Sequence, residues 1–274
     1  MKSFTKLIAA GAAAVSTVVA AHAAPIKTDV VFIVDETGSM GNVQANVRNN
    51  IGLFSSILAA GGVDARFALV GFGYTGGTTA DRLRILTDFT DATGFAAAAQ
   101  NLAAFGGPEH GHSATAFALG QLDGQTDFLS YGIGIKNLII VSDDDSNTDG
   151  AYSVGGNTAT ESIIDQLLSD ANALYNGILN PGSSAADYDD AIANNGGSIF
   201  NLSTFNTTDQ TVIEQFVTDF ANTKLQETLD FCALNPTDPA CTGGEPVSEP
   251  GMIGLFGLGL MGLGVAAIRR RYAL

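Results

Sequence analysis

Thr28-Asp29-Val30-Val31-Phe32-Ile33-Val34-Asp35-Glu36-Thr37-Gly38-Ser39-Met40 sets an unbroken apolar run directly against an acidic, hydroxyl-rich one. Asp29 to Val34 lacks the apolar–polar alternation of a half-exposed strand, so it reads as a strand buried on both faces of a parallel sheet. Downstream, Gly41 to Ala60 has helical spacing, with Val43, Val47, Ile51, Phe54 and Leu58 recurring at three and four. Ala65 to Phe72 predicts a second buried strand, Gly73 to Thr79 a turn, and Arg82 to Phe89 a third strand, paired with the second as a hairpin. Ala92 to Ala104 and Ser113 to Leu122 predict helices around a Gly/Pro loop, Phe105 to His112. Lys136 to Val141 is another buried strand, running into Ser142-Asp143-Asp144-Asp145. Thr160 to Ala173 is amphipathic, Leu174 to Leu179 a short strand, Tyr188 to Asn194 a short helix and Ser198 to Leu202 a last strand. A helix from Asp209 to Lys224 closes the series, with Asp209 near its start. This alternation predicts an α/β fold: a doubly wound, mostly parallel sheet with helices on both faces and one antiparallel edge strand.

Both ends of the 274-residue chain differ from this body. Residues 1–23 have the layout of a secretory signal peptide: Lys2 and Lys6, an apolar core from Leu7 to Ala20, and the cleavage pattern Ala21-His22-Ala23. The body is then 24–224, and 225–248, with Pro236, Pro239, Gly243, Gly244 and Pro246, reads as a linker. Met252 to Ile268 is a second apolar run, followed by Arg269-Arg270-Arg271. At 1.5 Å per residue it spans ~26 Å, enough for a transmembrane helix in a thin bilayer, with the arginines on the cytoplasmic side. The net charge is −16, yet between the apolar runs 7 basic residues face 28 acidic ones, a net −21. Such a body repels phosphate backbones and disfavours nucleic acid as a partner. With an export signal upstream, Cys232 and Cys241 are expected to form a disulfide across the linker; their spacing does not suit zinc.

In open α/β sheets ligands bind at the carboxyl ends of the strands. Two strands here end in acidic loops, at Asp35 to Met40 and at Ser142 to Asp145. Carboxylates and hydroxyls are hard oxygen donors, suited to Mg²⁺, Mn²⁺ or Ca²⁺. Asp35, Thr37 and Ser39 alternate, so an extended turn points all three the same way. Asp187, Asp189 and Asp190 are read as an acidic helix start, and His110 and His112 as solvent-exposed loop residues.

The quoted stretch closely resembles the first strand and the D-x-S/T-x-S motif of von Willebrand factor A domains, and the likeness extends over roughly residues 28 to 224, to Ile192-Ala-Asn-Asn-Gly-Gly-Ser-Ile-Phe200. The resemblance implies a metal-ion-dependent adhesion site in which Asp35, Thr37 and Ser39 form the first group of ligands. It implies a further ligand at Asp143, with Asp144 as a one-residue alternative. Gly106-Gly-Pro-Glu109-His-Gly111 resembles the Pro-Glu-x-Gly segment of integrin β-subunit I-like domains, which implies Glu109 as the remaining ligand. The flanking acidic residues of those domains are absent, since Gly41 and Asn42 follow Met40 and Gly106 stands where an aspartate would. Val247-Ser248-Glu249-Pro250-Gly251, the apolar run and Arg269, Arg270 and Arg271 resemble the PEP-CTERM sorting signal of Gram-negative bacteria, here 249–274 with Ser248 in place of the commonest proline. That resemblance implies transient anchoring in the inner membrane, processing by an exosortase, and delivery to the cell surface or an exopolysaccharide matrix.

Competing chemistries fail on context. Gly71-Phe-Gly-Tyr-Thr-Gly76 matches G-x-G-x-x-G but leads into a strand, so no helix N-terminus is there for a pyrophosphate. Gly111-His-Ser-Ala-Thr115 lacks the last glycine and the preceding strand of a hydrolase nucleophile elbow. The expected function is therefore an exported, metal-dependent adhesion module, not an enzyme, whose ligand is a matrix protein or polysaccharide. A structural matrix protein whose cation only stabilises the fold is the alternative; a metal-assisted hydrolase is a third reading.

Overall fold

The computed structural model describes residues 24–76, 82–146 and 152–243. The signal-peptide reading of 1–23 and the sorting-signal reading of 249–274, including the 252–268 span, lie outside the described residues. Among the described residues no helix is long and apolar enough to cross a membrane.

The elements in chain order are β1 (Ile26–Asp35), α1 (Gly41–Ala60), β2 (Val63–Phe72), β3 (Leu83–Thr90), α2 (Ala92–Ala98), α3 (Gly111–Ala118) and β4 (Ile135–Ser142). A two-stranded hairpin, β5 (Ser153–Val154) and β6 (Asn157–Thr158), precedes α4 (Glu161–Asp170) and β7 (Leu174–Leu179). Then come α5 (Ser183–Ala186), α6 (Asp189–Asn194), β8 (Ile199–Asn201), α7 (Leu202–Phe205) and α8 (Gln210–Leu234). The main sheet is six-stranded, in the order β3-β2-β1-β4-β7-β8. All its pairs are parallel except β2 with β3, which places the antiparallel strand at one edge as the sequence predicts.

The apolar run of β1 is buried on both faces because successive side chains feed two different cores. Val30, Phe32 and Val34 join the layer formed with α1, α2 and α8. Val31 and Ile33 join the opposite layer, with α3, α4 and α6. Phe32 meets Phe54 of α1 and Phe95 of α2 edge-on or tilted, at centroid distances of 5.8 and 5.2 Å. Each such ring contributes about 1.5–3 kcal/mol on leaving water.

The stripe on α1 packs as its spacing predicts, and Gly62 ends the connection to β2 with φ +84°, where a side chain would be strained. Two buried amides on α1 do further work. Gln44 Nε2 donates to the Asp35 carbonyl at 2.9 Å and to the Ala103 carbonyl at 2.6 Å, fixing the end of β1. Asn46 Nδ2 donates to Phe205 O at 2.7 Å and Thr207 O at 3.0 Å.

Helix α8 starts where expected, with the Asp209 carboxylate accepting from Thr211 N and Val212 N at 3.0 and 3.4 Å. It runs on past Lys224 to Leu234, through the first part of the segment the sequence suggests as linker. The reason lies in packing: Phe231 and Cys232 rest against the small cluster of Ile135, Leu174 and Ala240. Cys232 is disulfide-bonded to Cys241, and Lys27 N donates to Ala240 O at 2.9 Å, so this turn is laid along the start of β1.

Candidate metal site

Strands β1 and β4 are neighbours, so Asp35 and Ser142, the last residues of each, stand side by side at the carboxyl end of the sheet. Asp35 is fully buried. Its Oδ1 accepts from Thr37 N at 2.8 Å and its Oδ2 from Ser142 Oγ at 2.9 Å. Burial pushes its pKa up to about 7. The hydrogen bonds of Thr37 and Ser142 oppose that rise, and the Glu109 charge adds to it. The Thr37 hydroxyl is buried with no hydrogen-bond partner of good geometry, yet it bears on both Asp35 and Glu109, lowering each.

Glycines bring Glu109 here. Gly73 holds φ +86°, and a Cβ on it would come within 3.2 Å of Thr37 Cγ2 and 3.5 Å of Asp35 Oδ1. Its carbonyl accepts from Gly107 N at 3.1 Å. A Cβ on Gly106 would lie 2.3 Å from that same carbonyl oxygen and 2.9 Å from Glu36 O, so the aspartate missing at this position has no room as the loop is packed. The loop thus folds across the ends of β1 and β2 and leaves Glu109 half-buried. The Glu109 carboxyl is raised, by burial first and then by the charges of Asp144 and Asp143.

Asp143 is half-buried, and its carbonyl is held by Asn180 Nδ2 at 2.9 Å and Ser184 Oγ at 3.1 Å. Asp144 is exposed and acts more strongly on Glu109 than Asp143 does, so both registers remain open to the site. Ser39 lies exposed at the rim, on the single 3₁₀ turn Gly38–Met40. Glu109 is therefore within electrostatic reach of Asp35 on one side and of Asp143 and Asp144 on the other, and the Thr37 side chain bears on both Asp35 and Glu109.

Glu36 goes the other way. It is fully buried, ion-paired with Arg84 of β3, and accepts from Ala103 N at 2.7 Å. Arg84 also donates to Asn101 O at 3.0 Å and lies 4.2 Å over the Tyr74 ring. Sequence reasoning missed this pair, as it missed Ser142, although the strand alternation already sets Glu36 apart from Asp35 and Thr37.

The two histidines correct an expectation. Both are buried, not solvent-exposed. His112 Nε2 is 2.8 Å from Asp187 O, its ring packs edge-on against Tyr188 at 5.0 Å, and burial lowers its pKa, which keeps it neutral. His110 packs against Tyr152 at 5.2 Å. The Asp187 carboxylate accepts from Ser146 N at 2.6 Å, while Asp189 and Asp190 lie in the first turn of α6. The carboxylates of Asp189, Asp190 and Glu161 lie within 4.8 Å of one another, and Glu161 Oε1 accepts from Ala191 N at 3.1 Å.

The donor set around Asp35 is all oxygen and includes the buried Thr37 hydroxyl; the Glu109 charge adds to the rise of Asp35, and the charges of Asp144 and Asp143 add to that of Glu109. These residues fit a hard divalent cation, which would reverse the electrostatic strain.

An open, mostly parallel sheet with helices on both faces defines a doubly wound α/β domain, the class in which ligands are held at the carboxyl ends of the strands. The chain belongs to the von Willebrand factor type A domain family, which matches residues 29–214, and it carries a PEP-CTERM protein-sorting motif at residues 246–271. Domains of this family commonly bind a divalent metal, and the sorting motif marks an exported chain. No curated protein matches the sequence. Among solved structures, the pilus adhesin SpaC from Lactobacillus rhamnosus GG, in its open conformation, is 15% identical with TM-score 0.45, covering 75% of this chain and 30% of that one. The SpRpn10 VWA domain is 11% identical with TM-score 0.45, covering 69% and 93%. Proximal thread matrix protein 1 from the mussel byssus is 13% identical with TM-score 0.44, covering 71% and 46%. The chain spans under a third of the length of the pilus adhesin and under half that of the byssus protein.

Proposed function

We propose that this is an exported binding module in which Asp35, Thr37, Ser39, Glu109 and Asp143 hold Mg²⁺, or Mn²⁺ or Ca²⁺ in its place, directly or through water. The observation that supports the reading is that the buried Asp35 carboxyl, at the end of β1, feels the charge of Glu109 from the loop of Gly106 and Gly107. Three carboxylates around a divalent ion leave the site near −1, on a body whose own charge is strongly negative. An acidic partner is repelled, whereas a neutral, hydroxyl-rich one such as polysaccharide is not. The ligand is then matrix polysaccharide, or a matrix protein presenting neutral oxygens, and the protein acts as a binder rather than an enzyme. The PEP-CTERM motif implies an exosortase as processing partner, and hence a Gram-negative cell surface or biofilm matrix as destination.

Calorimetry on the purified protein tests the site: Mg²⁺ should bind, and Asp35→Ala should abolish the binding. Unchanged affinity in the variant would end the assignment. Matrix binding that persists in EDTA, with Mg²⁺ binding intact, would leave a cation that only stabilises the fold.

A further inference from the structure

A second polar cluster lies apart from that site, toward the β8 edge of the sheet, between β7, the turn before β8, and α8. Lys224 of α8 is buried to 1% exposure, an unusual position for a lysine. Its Nζ donates to Glu227 Oε2 at 2.6 Å. The same carboxylate oxygen accepts from Asn176 Nδ2 at 3.1 Å, and Asn176, on β7, is fully buried. The Asn176 carbonyl oxygen accepts from Ser198 N at 3.0 Å, while Ser198 Oγ donates to the other Glu227 oxygen at 3.0 Å. Gly197 makes this possible: a Cβ there would lie 1.6 Å from Tyr175 O and 2.9 Å from Asn176 Nδ2.

Each part of an acyl-transfer site is present: an amine, a carboxamide, a carboxyl touching both nitrogens, and a backbone N–H on the carbonyl oxygen. We propose that Lys224 and Asn176 join in an intramolecular isopeptide bond, formed by the folded chain itself with Glu227 as general acid–base. Glu227 takes a proton from the Lys224 ammonium, and the freed Nζ attacks Asn176 Cγ, forming the new C–N bond. Charge developing on Oδ1 falls on Ser198 N–H. Glu227 then returns the proton to Nδ2, the Cγ–Nδ2 bond breaks, and ammonia leaves, carrying off the second proton of the amine as ammonium. The balance is lysine ammonium plus asparagine amide to secondary amide plus ammonium, with no other reactant. Burial lowers the Lys224 pKa against the pull of Glu227, which favours the proton transfer. Glu227 itself borders a surface groove of about 340 Å³, shared with Leu174 and Asn195, so the cluster lies close beneath solvent.

Intact-mass and peptide mass spectrometry on the full chain tests this after reduction and denaturation. The chain should weigh one ammonia less than its sequence, and trypsin should fail to cut after Lys224. Full mass with cleavage at Lys224 would reduce the cluster to an ion pair and overturn the proposal. Asn176 is followed by Gly177, so its side chain can also lose ammonia by cyclising onto its own backbone. That product leaves Lys224 cleavable, so ammonia loss together with cleavage overturns the proposal as well. Glu227→Gln keeps the bulk and much of the hydrogen bonding, so it should fold, as read by circular dichroism, with full mass and a cleavable Lys224. A folded variant that still forms the bond would remove Glu227 from the chemistry.

Discussion

A carboxyl group sealed at the end of a strand is tolerated either by keeping its proton or by finding a cation. Asp35 is held ready for both. Its folded pKa, about 7, lies above the ordinary 3.8, so between those values the folded chain binds a proton that the unfolded chain has released. Asp35 therefore contributes stability below about pH 4, and that contribution is lost as the pH rises through 7. In EDTA, Asp35→Asn should be more stable than the parent at pH 8, by up to about 4 kcal/mol as a ceiling, with the gap closing toward pH 4. Thermal unfolding of both proteins across pH measures it, and a gap that does not change with pH would contradict this account. Added Mg²⁺ should raise the melting temperature of the parent alone. Asp35, Thr37 and Ser39 were legible in the sequence because their alternation is local. Ser142 was not, since it meets Asp35 only across paired strands 107 residues apart, and Glu36 finds Arg84 48 residues away.

At the scale of elements, a run such as Asp29 to Val34 has one stable use, and the sheet follows from it. The helix stripes were equally plain, because α1 buries the face its spacing marks. The far end of α8 was not, since Pro and Gly beyond Asn235 suggest a linker, whereas the packing of Phe231 and Cys232 on Ile135, Leu174 and Ala240 is a tertiary contact that local sequence does not carry. The histidines of the α3 turn were misread for a related reason: a Gly/Pro loop suggests exposure, yet Tyr152 and Tyr188 cover it. The Cys232–Cys241 bond closes a short loop with a sequence separation of 9 and fixes the last turn of α8. Replacing both cysteines by serine should cost about 2–3 kcal/mol and lower the melting temperature by roughly 5–10 °C. Cation affinity should hold, because the bond lies at the opposite end of the sheet from Asp35. Calorimetry and thermal denaturation of the double variant check the two halves, and a loss of Mg²⁺ binding would show coupling between the ends.

For the whole molecule, the sorting motif makes a prediction about what remains after export. The arginines, the apolar run and Ser248-Glu249-Pro250 should be needed only until processing, with cleavage near Ser248 to Gly251. Mass spectrometry of surface-exposed protein from the native host should find no peptide from Met252 onward, whereas an intact tail would favour a simple membrane anchor. The chain leaves the domain beside the place where it enters. Ala240 and Gly243 lie against Lys27 and Ala24, at the start of β1, while Asp35 is the last residue of the same ten-residue strand. A ligand held at the cation and a tether at the C-terminus would therefore pull along one line, ~33 Å of β1. The chain beyond Gly243 is continuous with α8, so such a load enters through α8 and the Cys232–Cys241 bond and passes to the start of β1 through contacts such as Lys27 N to Ala240 O at 2.9 Å. The short covalent loop at the end of α8 therefore stands between the tether and the sheet, and keeps the pull from unwinding the last turn of that helix.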